Sequence, residues 1–128
     1  LAILAVKLGA KGVFAFDNDE WSINNTIENC EINGVSDCIK CEMHDIFKVE
    51  LPKANGITAN LFLNLVKASL PAFFESLKDS AGHLLVSGIL EYDKDIVIEN
   101  AINAGFELIK LATEDEWVAF YFRAANGK

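Results

Sequence analysis

Apolar residues along this chain fall into short blocks separated by acidic, asparagine-rich and glycine-containing breaks, and the spacing within each block predicts its element. Leu1–Leu8 is an almost continuous apolar run closed by Gly9, the residue on which helices commonly end. Gly12–Phe16 is β-branched and aromatic throughout, as in a parallel strand covered on both faces, and Asp17 follows at once. From Asp19 to Asn33, the residues Trp21, Ile23, Ile27, Cys30 and Ile32 recur at near-helical spacing, and Asn33-Gly34 closes the segment. This is a strand, an acidic turn and a helix.

The pattern continues with a strand from Cys38 to about Met43, running into His44-Asp45, and a polar loop from Phe47 to Asn55. Gly56–Leu61 predicts a short strand ending near Asn60, followed by a helix from about Leu65 to Leu77. His83–Gly88 predicts a strand, Tyr92–Ala104 a helix stopped by Gly105, and Phe106–Leu111 with Glu116–Arg123 a last pair of strands. Their link, Thr113-Glu114-Asp115, is too short for a parallel return, so the pair is antiparallel. Alternating strands and helices ending in such a hairpin predict an α/β fold with a mostly parallel sheet. In sheets of this kind ligands bind beyond the carboxyl ends of the strands, which singles out Asp17, His44-Asp45, Asn60 and Ser87-Gly88.

With 128 residues, 52% of them hydrophobic, the chain fits a single domain. A net charge of −8 removes the electrostatic footprint of a protein that grips nucleic acid unaided. Three cysteines fit a reducing, cytoplasmic compartment better than a secreted disulfide scaffold. The apolar runs are shorter than the roughly 20 residues that cross a bilayer, so no membrane span is expected. Leu1 opens directly into an apolar run with no polar leader, which predicts a chain that begins inside a larger protein.

Asp17 carries the strongest chemical signal, because a carboxylate at a strand end can accept from both hydroxyls of a ribose. The competing role is helix capping, for which Asp19 is the better placed of the two. Asp45 could accept from an adenine amine with Ile46 or Met43 against the ring, or it could be a solvated loop carboxylate. Asn60 is either a neutral acceptor for a substrate amine or a turn-forming asparagine. His44 is assigned no catalytic role. Cys38 and Cys41 have the spacing of a redox or zinc pair, but a lone pair cannot complete a tetrahedral site, and residues three apart in a strand face opposite ways. No metal site is expected, and no phosphate-cradling glycine loop, HExxH or GxSxG pattern is present.

Taken together, Leu1–Ala10, Val13–Asp19, Glu28-Asn29, Asn33-Gly34-Val35, Thr58-Ala59-Asn60-Leu61, Ser87-Gly88-Ile89-Leu90 and Glu116-Trp117 resemble, in the same order, the catalytic region of the ribosomal protein L11 methyltransferases. The resemblance implies a Rossmann-like class I methyltransferase sheet using S-adenosylmethionine, with ribosomal protein L11 as partner and its amino groups as acceptors. It also implies that Asp17 holds the ribose, that Asn18, Asp45 and Ile46 border the adenine, and that Asn60 lies beside the methyl group and the acceptor nitrogen.

The family's first strand and glycine loop would precede Leu1, so residues 1–128 are expected to form one incomplete methyltransferase domain. In the class I strand order 3-2-1-4-5-7-6, that would leave strands 2 and 4 without their shared neighbour and weaken cofactor binding. The alternatives are a class I methyltransferase with another acceptor, a catalytically silent nucleotide-binding module of the same fold, and an NAD-dependent oxidoreductase, for which Asp17 is equally well placed.

Overall fold

A computed structural model describes Lys7 and residues 12–17, 19–44 and 50–125. The chain divides into two compact units, Leu1–Val49 and Glu50–Lys128.

In the first unit, β1 (Val13–Asp17) leads through helix α1 (Glu20–Ile32) and a 3-10 turn (Ser36–Cys38) to β2 (Ile39–Met43). The two strands pair in parallel, from Val13 opposite Ile39 to Asp17 opposite Met43. Asp19 caps α1: its carboxylate accepts from the Ser22 backbone N–H at 3.2 Å and the Ser22 hydroxyl at 2.8 Å. At the other end the Val35 N–H donates to the Cys30 carbonyl and the Gly34 N–H to that of Glu31, with Gly34 at φ +70°. That crossed pair is a Schellman closure, which glycine adopts without steric cost, and it brings Val35 onto Cys30. Ile39 completes their small cluster, with Val13, Ala15 and Cys41 packed against it.

Two sequence expectations need correcting in this unit. Trp21 and Ile32, counted on the apolar face of α1, are 73% and 74% exposed, whereas Ile23 and Cys30 are buried. At about 100° per residue both lie roughly opposite Ile23, so near-helical recurrence alone overstated the buried stripe. Cys38 sits in the 3-10 turn rather than in β2, so the opposite-face argument for Cys38 and Cys41 does not apply; both thiols are free.

The second unit contains β3 (Gly56–Asn60), α2 (Leu63–Leu77), β4 (His83–Leu90), α3 (Lys94–Ala104), β5 (Phe106–Glu114) and β6 (Trp117–Ala124). Its sheet order is β3-β4-β6-β5, with β3 parallel to β4 and the other pairs antiparallel. Helix α2 buries Val66, Leu70, Phe73 and Leu77, one stripe at helical spacing, and α3 buries Val97 and Ala101. The alternate strand residues Leu84, Val86, Val118, Phe120 and Phe122 complete this core. Within it the Phe120 and Phe122 rings stack at 5.6 Å, and Phe106 meets Phe74 edge-on at 5.6 Å.

Segment 50–55 is stitched to the end of α2. The Ser76 hydroxyl donates to the Pro52 carbonyl at 2.5 Å, the Ser80 hydroxyl to that of Ala54 at 2.8 Å, and Lys53 pairs with Asp79 at 2.9 Å. The terminal hairpin is antiparallel as expected, but its strands run longer, leaving only Asp115 and Glu116 in the turn, with Asp115 at φ +54°.

The two sheets carry the runs 3-2 and 4-5-7-6 of the class I strand order, and the fold is Rossmann-like α/β. Among the described residues, β1 and β3 each have one hydrogen-bonded neighbour.

Candidate functional site

Of the predicted site residues, Asp17 and Asn60 end strands, one in each unit. Asp17 is the last residue of β1, one position inside the strand rather than after it, and its side chain is exposed. Its backbone carbonyl accepts from the His44 N–H at 2.8 Å, tying the strand end to the residue after β2. One carboxylate oxygen, Oδ1, accepts from the Asp19 N–H at 3.0 Å. That bond orients the carboxylate, and among the described residues no other donor reaches Oδ2, which as a carboxylate oxygen can accept further hydrogen bonds. Capping and ligand binding are therefore compatible here: Asp19 serves the helix and Asp17 faces outward. Asn18, Asp45 and Ile46, predicted to border an adenine, lie outside the described residues.

His44 is held by a 2.7 Å contact between its Nε2 and Glu42 Oε1, and its ring meets Phe14 and Phe16 edge-on at 5.7 and 6.2 Å. The His44 hydrogen bond, and then that of Lys40, holds the Glu42 carboxyl below the usual glutamate range. These contacts account for His44 as a packing and hydrogen-bonding residue.

In the second unit Asn60 ends β3 with its side chain exposed, and it pairs in register with Ser87 of β4. Between Val86 and Ile89 the β4–β6 register shifts, so β4 bulges at Ser87-Gly88 and then resumes pairing through Leu90 opposite Trp117. The expected strand end at Gly88 is thus a mid-strand irregularity. Gly88 adopts φ +84°, and the Asn60 side-chain oxygen occupies the space where a Cβ on residue 88 would stand.

Beside this pair lies an open cleft of about 320 Å³, lined by Phe62, Leu63, Gly88, Ile89, Leu90, Asp93 and Trp117. Phe62 is 80% exposed and Trp117 50%, so two aromatic faces are presented to solvent at its walls. Sequence reasoning did not single out Phe62 or Asp93 for this cleft. Nor did it give Gly88 a role in holding Asn60, although a glycine inside an apolar strand run is a signal for a bulge or a close approach.

Residues 1–125 match the model of the family described as ribosomal protein L11 methyltransferase (PrmA). A curated relative of that name from Exiguobacterium sibiricum is 33% identical over 119 residues, 93% of this chain and 38% of the relative. Another, from Oceanobacillus iheyensis, is 29% identical over 128 residues, the whole of this chain and 40% of the relative. The chain thus spans about 40% of the length of the curated relatives it matches. Among solved structures, a ribosomal protein L11 methylase from Lactobacillus delbrueckii subsp. bulgaricus superposes with a TM-score of 0.89 at 23% identity, covering 97% of this chain and 63% of that one. A geranyl diphosphate methyltransferase in complex with SAM gives a TM-score of 0.76 at 6% identity, covering 96% and 73%. At these identities the structural likenesses show the fold.

Proposed function

The chain belongs to the ribosomal protein L11 methyltransferase family, and on that footing we propose that it works as part of an S-adenosylmethionine-dependent N-methyltransferase acting on amino groups of ribosomal protein L11. In this reading residues 1–128 belong to one catalytic domain, working in the cytoplasm without direct contact to nucleic acid. The observation that carries it is the end of β3, where a neutral, exposed asparagine is seated against a glycine at a strand bulge beside an open, aromatic-walled cleft.

S-adenosylmethionine, when bound, supplies a methyl group on a sulfonium that leaves without needing a proton. What remains for the protein is to hold the two partners in line, and positioning of that kind can supply much of the barrier reduction. The Asn60 carbonyl oxygen would accept an N–H from the incoming amine and so aim its lone pair. Being uncharged, Asn60 would not favour the protonated, unreactive ammonium as a carboxylate would. Asp17 would accept from the two ribose hydroxyls; its exposed, locally oriented carboxylate fits that donor set. The adenine-bordering role of Asn18, Asp45 and Ile46 rests on the family resemblance alone.

The test is a chimera that places the N-terminal region of the Exiguobacterium sibiricum relative ahead of Leu1. Incubated with methyl-labelled S-adenosylmethionine and purified ribosomal protein L11, it should transfer label to amino nitrogens of that protein. Asp17→Ala should weaken cofactor binding about 10- to 100-fold, the usual worth of hydrogen bonds to a charged group. A folded chimera that binds cofactor yet labels no protein would overturn the activity, and unchanged cofactor affinity in Asp17→Ala would overturn the ribose assignment.

A further inference from the structure

We infer that Gly88 is the positioning residue for Asn60: its missing Cβ and left-handed backbone create the seat in which the Asn60 amide is fixed. The inference rests on the acceptor role proposed for Asn60 and supplies what holds that side chain still.

Asn60 is exposed, and an exposed asparagine amide ordinarily samples several rotamers. Register places Ser87 opposite Asn60, and immediately afterwards β4 departs from regular pairing with β6. At that departure Gly88 turns to φ +84°, a region that side-chain-bearing residues other than Asn and Asp rarely enter. The Asn60 Oδ1 fills the space over the Gly88 α-carbon, with Asn60 Cγ at 3.5 Å and the Leu61 carbonyl at 3.8 Å from the point a Cβ would take. Any other residue at 88 would drive the amide out of that space. Gly88 also forms part of the cleft wall with Phe62 and Trp117, so displacing Asn60 across the bulge would change what a group entering the cleft meets.

A purely structural role for Gly88 would be a backbone requirement of the bulge, and that alternative makes different predictions. Asparagine tolerates the left-handed region but still carries a Cβ. In ¹⁵N-labelled 128-residue chain, the Asn60 side-chain NH₂ signals, identified by their loss in Asn60→Asp, should shift in both Gly88→Ala and Gly88→Asn. If Gly88→Asn leaves those signals in place, the glycine serves only the backbone and the inference fails.

Stability gives a second reading of the same contact. Removing the struck oxygen should relieve the collision, so Asn60→Ala/Gly88→Ala should melt higher than Gly88→Ala alone. A double variant that melts no higher would count against direct contact.

In the chimera described above, Gly88→Ala should lower kcat on the order of 100-fold, the effect of misplacing a group by about 1 Å, with KM for the cofactor unchanged. Adding Gly88→Ala to Asn60→Ala should cost nothing more, since the group being positioned is already gone. Multiplicative losses would show that Gly88 acts independently and would overturn the inference. If Asn60→Ala instead keeps full kcat, the acceptor role of Asn60 fails, while the side-chain spectrum still decides whether Gly88 seats the amide.

Discussion

The two units reach very different degrees of burial from similar strand-and-helix grammar. Among the described residues, the large side chains that are less than 2% exposed, Phe120, Phe122, Leu70, Leu77 and Leu84 among them, all lie in the second unit. In the first, the buried residues Ile23, Cys30, Val35 and Ile39 retain 3–8% exposure, and β1 is half-buried along its apolar length. In the second unit four strands with two helices packed on them enclose a core; among the described residues of the first, one helix packs on a two-stranded sheet whose other face carries Phe14, Phe16 and His44 against one another. Apolar strands of the parallel kind presuppose cover on both faces, and β1 has the sequence for it.

The largest effect that could break this contrast comes from core truncation. Phe122→Ala should cost about 3–5 kcal/mol in urea denaturation, as expected for an aromatic ring removed from a closed core. Ile39→Ala should cost nearer 2 kcal/mol, the low end for such changes, because Ile39 already borders an open cavity of about 190 Å³ and its removal creates less new void. Equal costs would mean that the first unit is as tightly closed as the second. Hydrogen exchange should sharpen the same difference. Amides of β4 and β6 should be protected at least about tenfold more than those of β1 and β2, since local opening follows buried contact.

That contrast also marks how far the sequence could be read. The order of elements from β1 to β6, the Asp19 cap, the Gly105 helix stop and the antiparallel hairpin follow from local chemistry, and each is present; the helix expected over Leu1–Leu8 lies, Lys7 apart, outside the described residues. Near-helical recurrence placed Trp21 and Ile32 on the buried side of α1 because it scores spacing without phase. The continuation of β4 past Gly88 was not legible, because a bulge depends on the partner strand, here β6, where the pairing skips from Val86 opposite Phe120 to Ile89 opposite Val118. For the same reason Asn60 could be nominated from its strand end, whereas its contact with Gly88, 28 positions away in sequence, needed the register.

A smaller test lies in the Cys41 thiol, whose pKa is raised chiefly by burial and further by Cys30 and Asp17 nearby. The raised value favours the fold while the thiol is neutral. That contribution is complete below the ordinary thiol range and is lost as pH rises through the folded-state value. Alkylation by iodoacetamide proceeds through the thiolate, so Cys41 in the folded chain should react more slowly than in urea at pH 8, and the gap should narrow as pH climbs. Equal rates at pH 8 would mean that the cover over Cys41 opens as fast as it is probed, and the first unit would then be looser than its burial implies.

The smallest expected effect is at the Lys53–Asp79 pair, which joins segment 50–55 to the end of α2 on the surface of the well-packed unit. The hydrogen bond from Lys53, and then its charge, holds the Asp79 carboxyl below the usual aspartate range. A depressed carboxylate stabilises the fold above its unfolded value, and that contribution fades as pH falls through the folded one. Both partners are well exposed, so water and salt screen the pair and its share of stability is small. Asp79→Asn should therefore lower the melting temperature only slightly at neutral pH and low salt, and not at all in strong acid or in molar salt. The Ser76 and Ser80 hydroxyl bonds to the same segment should persist in that variant, keeping residues 50–55 protected. A large loss from Asp79→Asn would show that the ion pair, rather than those hydroxyl bonds, anchors the chain's entry into β3.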